Sequence, residues 1–171
     1  TPTPLPTLPA SDCRDLVANG SFELNRNWLL QGESSPRYAA ENALVGNRAL
    51  QLGILDSVNI KGVSIAQQII AIPENAATLR LSFYYYAQAA PTDVNPQRVV
   101  LLDQQGTRHV LLLVDGPYSI SRAWREAVFD ENVLGQFRGQ RVRLQFQVYN
   151  NGWEPVPASL LVDDIRFMAC R

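Results

Sequence analysis

Two segments of the chain alternate apolar and polar side chains with a period of two over their whole length. Residues 78–88 place Leu79, Leu81 and Phe83 between polar or tyrosyl side chains, and residues 141–149 alternate in the same way. Because successive side chains of a strand point to opposite faces, this pattern predicts two strands that each bury one face. Such strands need a second layer to cover the buried face, so the chain must form a layered β structure.

Shorter apolar runs bounded by turn residues predict further strands. They cover 16–17, 49–52, 63–72, 98–103, 108–115, 124–129 and 160–168. The only helical segment expected is a short turn near 130–137. Runs this close together leave no room for crossover helices. The sequence therefore predicts an all-β fold, an antiparallel β-sandwich of two packed sheets with jelly-roll topology and little or no helix.

The first 11 residues differ in composition from the rest of the chain. Residues 1–9 are threonine, leucine and repeated proline, which removes backbone donors and fixes φ. We expect residues 1–11 to form an extended, unpacked polyproline II linker. Residues 12–171 are then one domain, and the linker indicates that this domain is part of a larger multidomain protein.

The two cysteines, Cys13 and Cys170, lie near opposite ends of the predicted domain. One disulfide between them would tie the first strand to the last. It would also indicate an oxidising compartment, so that the protein is secreted or held at a cell surface. Two unrelated buried thiols are the alternative.

Charge and residue usage argue against several classes of function. The chain has 15 basic and 16 acidic residues with no basic stripe, so we do not expect nucleic acid as a partner. No apolar stretch is long enough for membrane insertion. His109 is the only histidine, and no nucleophile motif or facing carboxylate pair is recognisable, so we expect no enzyme. The isolated domain is expected to be a monomer.

Three segments resemble the jelly-roll carbohydrate-binding modules of the galactose-binding-like superfamily, in the form found in bacterial extracellular proteins. The first is Leu16-Val-Ala-Asn-Gly-Ser-Phe-Glu23, followed by Trp28. The last is Leu160-Leu-Val-Asp-Asp-Ile-Arg-Phe167, and the middle one lies within residues 124–152. Together they extend over almost the whole predicted domain.

The resemblance implies a non-catalytic carbohydrate-binding, or carbohydrate-binding-like, accessory module. Such a module would tether a larger surface or secreted protein to a polysaccharide or other glycan. A structural or protein-interaction domain of a cell-surface protein, without a glycan site, is the alternative. The resemblance also implies buried positions for Trp28 and Trp124.

A structural calcium ion is also implied by the resemblance. It would be held by the side chains of Glu23 and Asp163, with backbone carbonyls near Ser21 and around Gly46 and Arg48. Strict alternation places Asp163 on the apolar face of its strand, where an unpaired carboxylate is costly to bury. The alternative is that Asp163 accepts backbone N–H groups at the end of the sheet, without a metal.

Sugar-binding surfaces combine aromatic rings, which stack on C–H faces, with amides and guanidinium groups that bond hydroxyls. The polar faces of the two alternating strands and one loop have this mixture. The candidate ligand-binding residues are Tyr84, Tyr86, Gln88, Arg143, Gln145, Gln147, Tyr149 and Trp153. If the two strands are neighbours in one sheet, they form a continuous surface. Alternatively, the tyrosines only favour strand formation, and the tryptophan only anchors its loop.

Overall fold

The computed structural model describes residues 5–9, 12–55, 58–88, 95–114 and 123–171. Residues 1–4, 10 and 11 of the predicted linker, residue 115 of a predicted strand and the side chain of Gln88 lie outside this description. The strands are β1 (Cys13–Asp15), β2 (Leu29–Gln31), β3 (Arg37–Ala39), β4 (Ala49–Gly53), β5 (Gly62–Ala71), β6 (Thr78–Gln88), β7 (Gln97–Leu102), β8 (Arg108–Val114), β9 (Arg125–Phe129), β10 (Arg141–Asn150) and β11 (Ser159–Cys170). The helical residues are α1 (Glu131–Leu134) and a 3₁₀ turn (Gly135–Phe137).

The strands form two antiparallel sheets. Sheet A has the order β3-β4-β11-β6-β9, and β1 pairs with the remaining length of β11. Sheet B has the order β2-β5-β10-β7-β8. This arrangement confirms the predicted all-β sandwich with little helix. Within the described ranges, no helix is long and apolar enough to cross a membrane.

The core lies between the inward faces of the two sheets. Phe83 of β6 meets Phe146 of β10 edge to face, with ring centroids 5.2 Å apart. Trp28, which precedes β2, packs against Phe146 at 5.9 Å and is 7% exposed, as predicted. The two alternating strands therefore supply the centre of the core, one from each sheet.

The first strand and two short strands differ from the prediction. β1 occupies residues 13–15 and not 16–17, because Cys13 to Asp15 pair with the end of β11. The three-residue strands β2 and β3 were not predicted. They are too short to show a period of their own, and each forms by pairing with the edge of a longer strand.

The Asn-Gly-Ser-Phe-Glu segment is a turn that packs on β11. The Asn19 side chain donates to the carbonyls of Leu24 and Arg26, and its oxygen accepts from the Leu24 amide. The Gly20 carbonyl accepts from the Ile165 amide at 3.0 Å. A Cβ at Gly20 would lie 1.9 Å from the Ile165 carbonyl oxygen, so only glycine permits this approach. The motif therefore has a structural role in joining the two ends of the domain.

A bulge in β11 reverses the face on which Asp163 lies. The pairing with β6 shifts register between Asp163 and Arg166, and Asp164 adopts a positive φ of 46°. Val162 before the bulge and Ile165 after it both belong to the core. The prediction that Asp163 shares the apolar face with Ile165 is therefore wrong, because the extra residue of a bulge breaks strict alternation.

Leu8 departs from the predicted unpacked linker. Its side chain is 3% exposed and belongs to the core cluster. Its backbone N–H donates to the Asn75 side chain at 3.1 Å, and its carbonyl accepts from the same amide group at 2.9 Å. Leu8 is thus held against the domain, because the free energy gained by burying its side chain exceeds the tendency of the proline-rich segment to stay solvated.

The disulfide between Cys13 and Cys170 is present, which confirms that prediction. It joins residues separated by 157 positions. Closing so long a loop restricts the unfolded chain, so on the chain-entropy model we expect reduction to lower the free energy of unfolding by up to about 5 kcal/mol. Urea unfolding with and without reductant measures this. Equal midpoints would contradict it, and the Cys13→Ser, Cys170→Ser double variant should not respond to reductant.

Candidate functional site

The two strands that carry most of the candidate ligand residues lie in different sheets. Tyr84 and Tyr86 are on β6 in sheet A, whereas Arg143, Gln145 and Gln147 are on β10 in sheet B. Because the sheets pack through their inner faces, their outer faces point in opposite directions. The predicted continuous surface is therefore wrong, and the residues form two separate faces.

The tyrosine face of sheet A is partly covered. Trp124 packs edge to face on Tyr86, with centroids 6.0 Å apart, and both rings are half-buried. The prediction that Trp124 is buried at a core position is therefore wrong, since it is half-buried on the outer face. The loop of residues 40–48 covers Asp163, the cross-strand neighbour of Tyr84. Trp124 and this loop therefore cover part of the surface around these tyrosines.

A row of linked glutamine side chains crosses the outer face of sheet B. Gln147 donates to Gln145 at 2.6 Å, Gln145 donates to Gln67 at 2.5 Å, and Gln67 donates to Gln31 at 2.9 Å. The row spans β10, β5 and β2. Gln145 and Gln67 are 7% and 9% exposed, whereas Gln31 is exposed. We call these four residues the glutamine row.

Half of the glutamine row was missed from the sequence. Gln67 and Gln31 join Gln145 and Gln147 only because β5 lies between β10 and β2. The available signal was weak, because Gln67 shares its strand face with the apolar residues Ile65 and Ile69. The pairing of the strands decides which polar residues meet, and a single sequence does not specify that pairing.

Two adjoining hollows form a groove beside the glutamine row. One has a volume of about 600 Å³ and is lined by Asn27, Trp28, Leu29, Gln67, Gln68, Ile69 and Arg143. The other, of about 300 Å³, is lined by Ile69, Leu102, Asp103, Gln104, Gly106, Arg141, Val142 and Arg143. Ile69 and Arg143 line both hollows, so the groove runs from β2 across β5 and β10 to the β7–β8 turn.

The groove combines apolar and charged walls. Leu29 is 54% and Ile69 is 63% exposed, so both present apolar surface to the groove. Asp103 accepts from the amides of Gln105 and Thr107, and its other oxygen lies 3.0 Å from Nε2 of His109. The hydrogen bond from His109 is the largest cause that lowers the pKa of Asp103. This carboxylate is therefore held in its charged form at the wall.

Comparisons with known proteins bear on the fold. No sequence-family model matches the chain, and no curated protein matches it. Among solved structures, a family 61 carbohydrate-binding module in complex with β-1,4-galactotriose has a TM-score of 0.64 at 14% identity, covering 90% of this chain and 97% of that chain. The CBM22-1 xylan-binding domain of Paenibacillus barcinonensis Xyn10C has a TM-score of 0.54 at 12% identity, covering 96% and 99%. The family 11 module of Clostridium thermocellum Lic26A-Cel5E has a TM-score of 0.51 at 13% identity, covering 93% and 95%.

The chain has the jelly-roll fold of carbohydrate-binding modules. Each of these alignments covers nearly all of this chain and nearly the whole length of the similar module. This confirms the fold implied by the three sequence segments. At these identities the likeness concerns the fold alone. The groove on sheet B is thus an outer-sheet surface of a carbohydrate-binding-module fold.

The remaining candidate residues lie at one end of the sandwich. Tyr149 of β10 is half-buried and pairs with Val63. Trp153 follows β10 and is 87% exposed, so its side chain does not anchor the loop. The anchor is Asn59, which is 8% exposed, accepts from the Gly152 amide and donates to the Glu154 carbonyl.

The predicted calcium ligands Glu23 and Asp163 are occupied by hydrogen-bond donors. Glu23 Oε1 accepts from the amides of Asn47 and Arg48, and the bond from Asn47 is the largest cause that lowers the pKa of Glu23. Asp163 is fully buried, and burial raises the pKa of its carboxyl. Its Oδ2 accepts from the Leu44 and Val45 amides at 2.9 Å each.

As arranged, these groups do not fit calcium. Calcium takes 6–8 oxygen ligands, whereas the neighbours of both carboxylates are mainly N–H donors. The Arg48 guanidinium bonds the Glu23 carbonyl and Asn25, which places a resident positive charge among the proposed ligands. A Cβ at Gly46 would lie 2.6 Å from Glu23 Oε1, so the loop is closely packed there.

The calcium site therefore stays a prediction of the resemblance. Ser21 lies in the turn on β11, and no bond from it to Glu23 or Asp163 is seen in the described part of the chain. Within the same residues, no group of three or more His, Cys, Asp or Glu side chains is placed to hold a metal. The bonds to Asp163 match the alternative in which it accepts backbone donors.

Replacing Asp163 tests whether this carboxylate supports the 40–48 loop. Asp163→Ala leaves the amides of Leu44 and Val45 without their acceptor, so we expect a loss of about 2–3 kcal/mol in the free energy of unfolding. Chemical denaturation measures it. The control Asp164→Asn keeps a residue that tolerates positive φ and removes only a surface ion pair with Arg166, which costs less than about 1 kcal/mol. Equal losses for both variants would contradict this role.

Chelation tests the calcium prediction directly. Because N–H donors and Arg48 already satisfy these oxygens, we expect EDTA to leave the melting temperature of the oxidised protein unchanged. Thermal unfolding monitored by circular dichroism, before and after EDTA and then with added calcium, measures this. A fall in melting temperature that calcium reverses would establish the calcium site and contradict the hydrogen-bonded alternative.

Proposed function

We propose that this protein is a non-catalytic, extracellular carbohydrate-binding accessory module that holds a larger protein close to a glycan. The single observation that carries the proposal is the glutamine row beside an open groove, on the outer sheet face of a carbohydrate-binding-module fold. Each amide of the row is fixed by its neighbour, so the row presents a rigid set of polar atoms to a sugar chain.

The ends of the glutamine row are the groups best placed to bind hydroxyls. Gln147 donates into the row and keeps its carbonyl oxygen as an acceptor, whereas Gln31 accepts from the row and keeps its amide hydrogens. Leu29, two residues before Gln31, and Ile69 expose apolar surface along the groove, which suits the C–H faces of a pyranose. A sugar has both kinds of surface, so the two components are complementary to it.

The names of the similar structures agree with this proposal. One is a complex with β-1,4-galactotriose and another is a xylan-binding domain. They support a glycan as the class of ligand and do not specify which glycan this chain binds.

The disulfide supports an extracellular location, since such bonds persist in oxidising compartments. An accessory role follows from the chemistry of binding. Contacts from amides and apolar side chains give modest affinity, which becomes effective when tethering raises the local concentration of an attached domain.

The groove also favours binding over catalysis. Among the described residues that line it, Asp103 is the only carboxylate, and its oxygens are bonded to backbone amides and His109. Glycoside hydrolysis needs a second carboxylate across the substrate. Binding without turnover is therefore the proposed role.

A second candidate function rests on exposed apolar side chains at the other end of the sandwich. Trp153 is 87%, Val58 80% and Ile60 61% exposed, and Asn59 holds their two loops together. A rigid apolar patch of this kind is typical of protein-interaction surfaces. It favours the alternative of a protein-interaction domain.

Native affinity electrophoresis of the protein through gels that contain soluble polysaccharides tests the proposed function. We expect retardation by at least one glycan. Gln147→Ala and Gln31→Ala each remove hydrogen-bonding atoms at an end of the row, so each should weaken binding about three- to tenfold.

The matched controls are Tyr84→Ala and Tyr86→Ala, on the opposite face of the sandwich, which should leave retardation unchanged. Loss of binding only in these controls would move the site to sheet A, and loss only in Trp153→Ala would move it to the loops. No retardation by a broad set of glycans would reject the proposal and favour the protein-interaction domain.

A further inference from the structure

Three arginines on the outer face of sheet B have no partner among the residues that the structure describes. Arg143 on β10, Arg108 on β8 and Arg98 on β7 take part in none of the ion pairs or side-chain hydrogen bonds found there. Arg143 and Arg108 are exposed, and Arg98 is half-buried. Elsewhere in the domain, Arg138 is bonded to Glu131 and Arg166 is bonded to Asp164.

The strand register places Arg143 in the groove, Arg108 in the same row across the sheet, and Arg98 beside the glutamine row. Arg143 is opposite Leu102, and Leu102 is opposite Arg108, so the two guanidinium groups belong to one row across three strands. Two strand spacings separate their Cα atoms by about 10 Å. Arg98 is opposite Gln147 and therefore lies at one end of the glutamine row. Arg143 itself lines both hollows.

Asp103 and Glu33, two carboxylates of the segments that form sheet B, are already engaged. Asp103 lines the groove but bonds His109 and two backbone amides. Glu33, at the end of β2, accepts from the Val63 amide at 2.9 Å, and that bond is the largest cause that lowers its pKa. Neither carboxylate bonds an arginine of this face. The described surface around the groove thus has more positive than negative charge.

We propose that the glycan recognised in this groove is anionic, with carboxylate or sulfate groups on its sugars. This inference rests on the proposed function and specifies its ligand. A guanidinium presents parallel N–H donors that match the two oxygens of a carboxylate or sulfate, and such bonds are stronger than those of a neutral amide to a hydroxyl. Arg143 binds one acidic group at the middle of the groove, and Arg108 or Arg98 binds the next.

The test compares polymers that differ only in charge. Dissociation constants are measured by isothermal titration calorimetry for polygalacturonate and its carboxyl-reduced form, and for a sulfated galactan and its desulfated form. We expect at least one acidic polymer to bind about tenfold more tightly than its neutral counterpart. The carboxylate and sulfate pairs distinguish the two sources of charge.

Arg143→Gln should weaken binding of the acidic polymer about tenfold, a larger loss than the same change causes for its neutral counterpart. The control Arg80→Gln makes the same change of charge at an exposed position on sheet A and should have no effect. Equal binding of acidic and neutral polymers would overturn this inference and leave the proposed function intact. Equal losses for the two arginine variants would also overturn it, since the attraction would then be non-specific. Binding of no polymer would reject both proposals.

Discussion

The pairing of β11 with three other strands is the interaction on which the rest of the domain depends. Its first half pairs with β4, its second half with β1, and almost its full length with β6. The disulfide fixes the β1 end, and the turn around Gly20 bonds the bulge through Ile165. Because the bulge returns Ile165 and Phe167 to the core, one strand keeps a continuous apolar face and still turns Asp163 outward. Sheet A therefore contains the contacts that hold the two ends of the domain together.

The glutamine row lies on the outer face of sheet B, which points away from sheet A. Buried amides cost free energy unless they are hydrogen-bonded, and the glutamine row meets that requirement within itself. Gln145 and Gln67 are almost inaccessible, yet each both donates and accepts. The row is thus rigid before any ligand arrives, which reduces the entropy that binding must overcome.

The sequence predicted the sandwich because alternation along 78–88 and 141–149 is a local property. It did not predict which strands are neighbours, since pairing depends on contacts between distant residues. For that reason Tyr84 and Gln145 were assigned to one surface although they lie on opposite faces. The position of Asp163 was wrong for a related reason, because nothing in the local pattern signals a bulge before Asp164. Leu8 shows the same limit, since its burial depends on Asn75.

The side chains of the glutamine row satisfy one another's hydrogen bonds, and this affects which ligands the groove would favour. Gln145 and Gln67 each already use a donor and an acceptor within the row, so a neutral hydroxyl gains little there beyond what water supplies. Arg143, Arg108 and Arg98 are in the opposite state, since the described residues satisfy none of their side-chain donors. An anion that reaches Arg143 replaces water with a charge-assisted bond next to the apolar surface of Ile69, where water screens it less. On the proposed function, the row sets the shape of the site, and the arginines determine which charge it would accept.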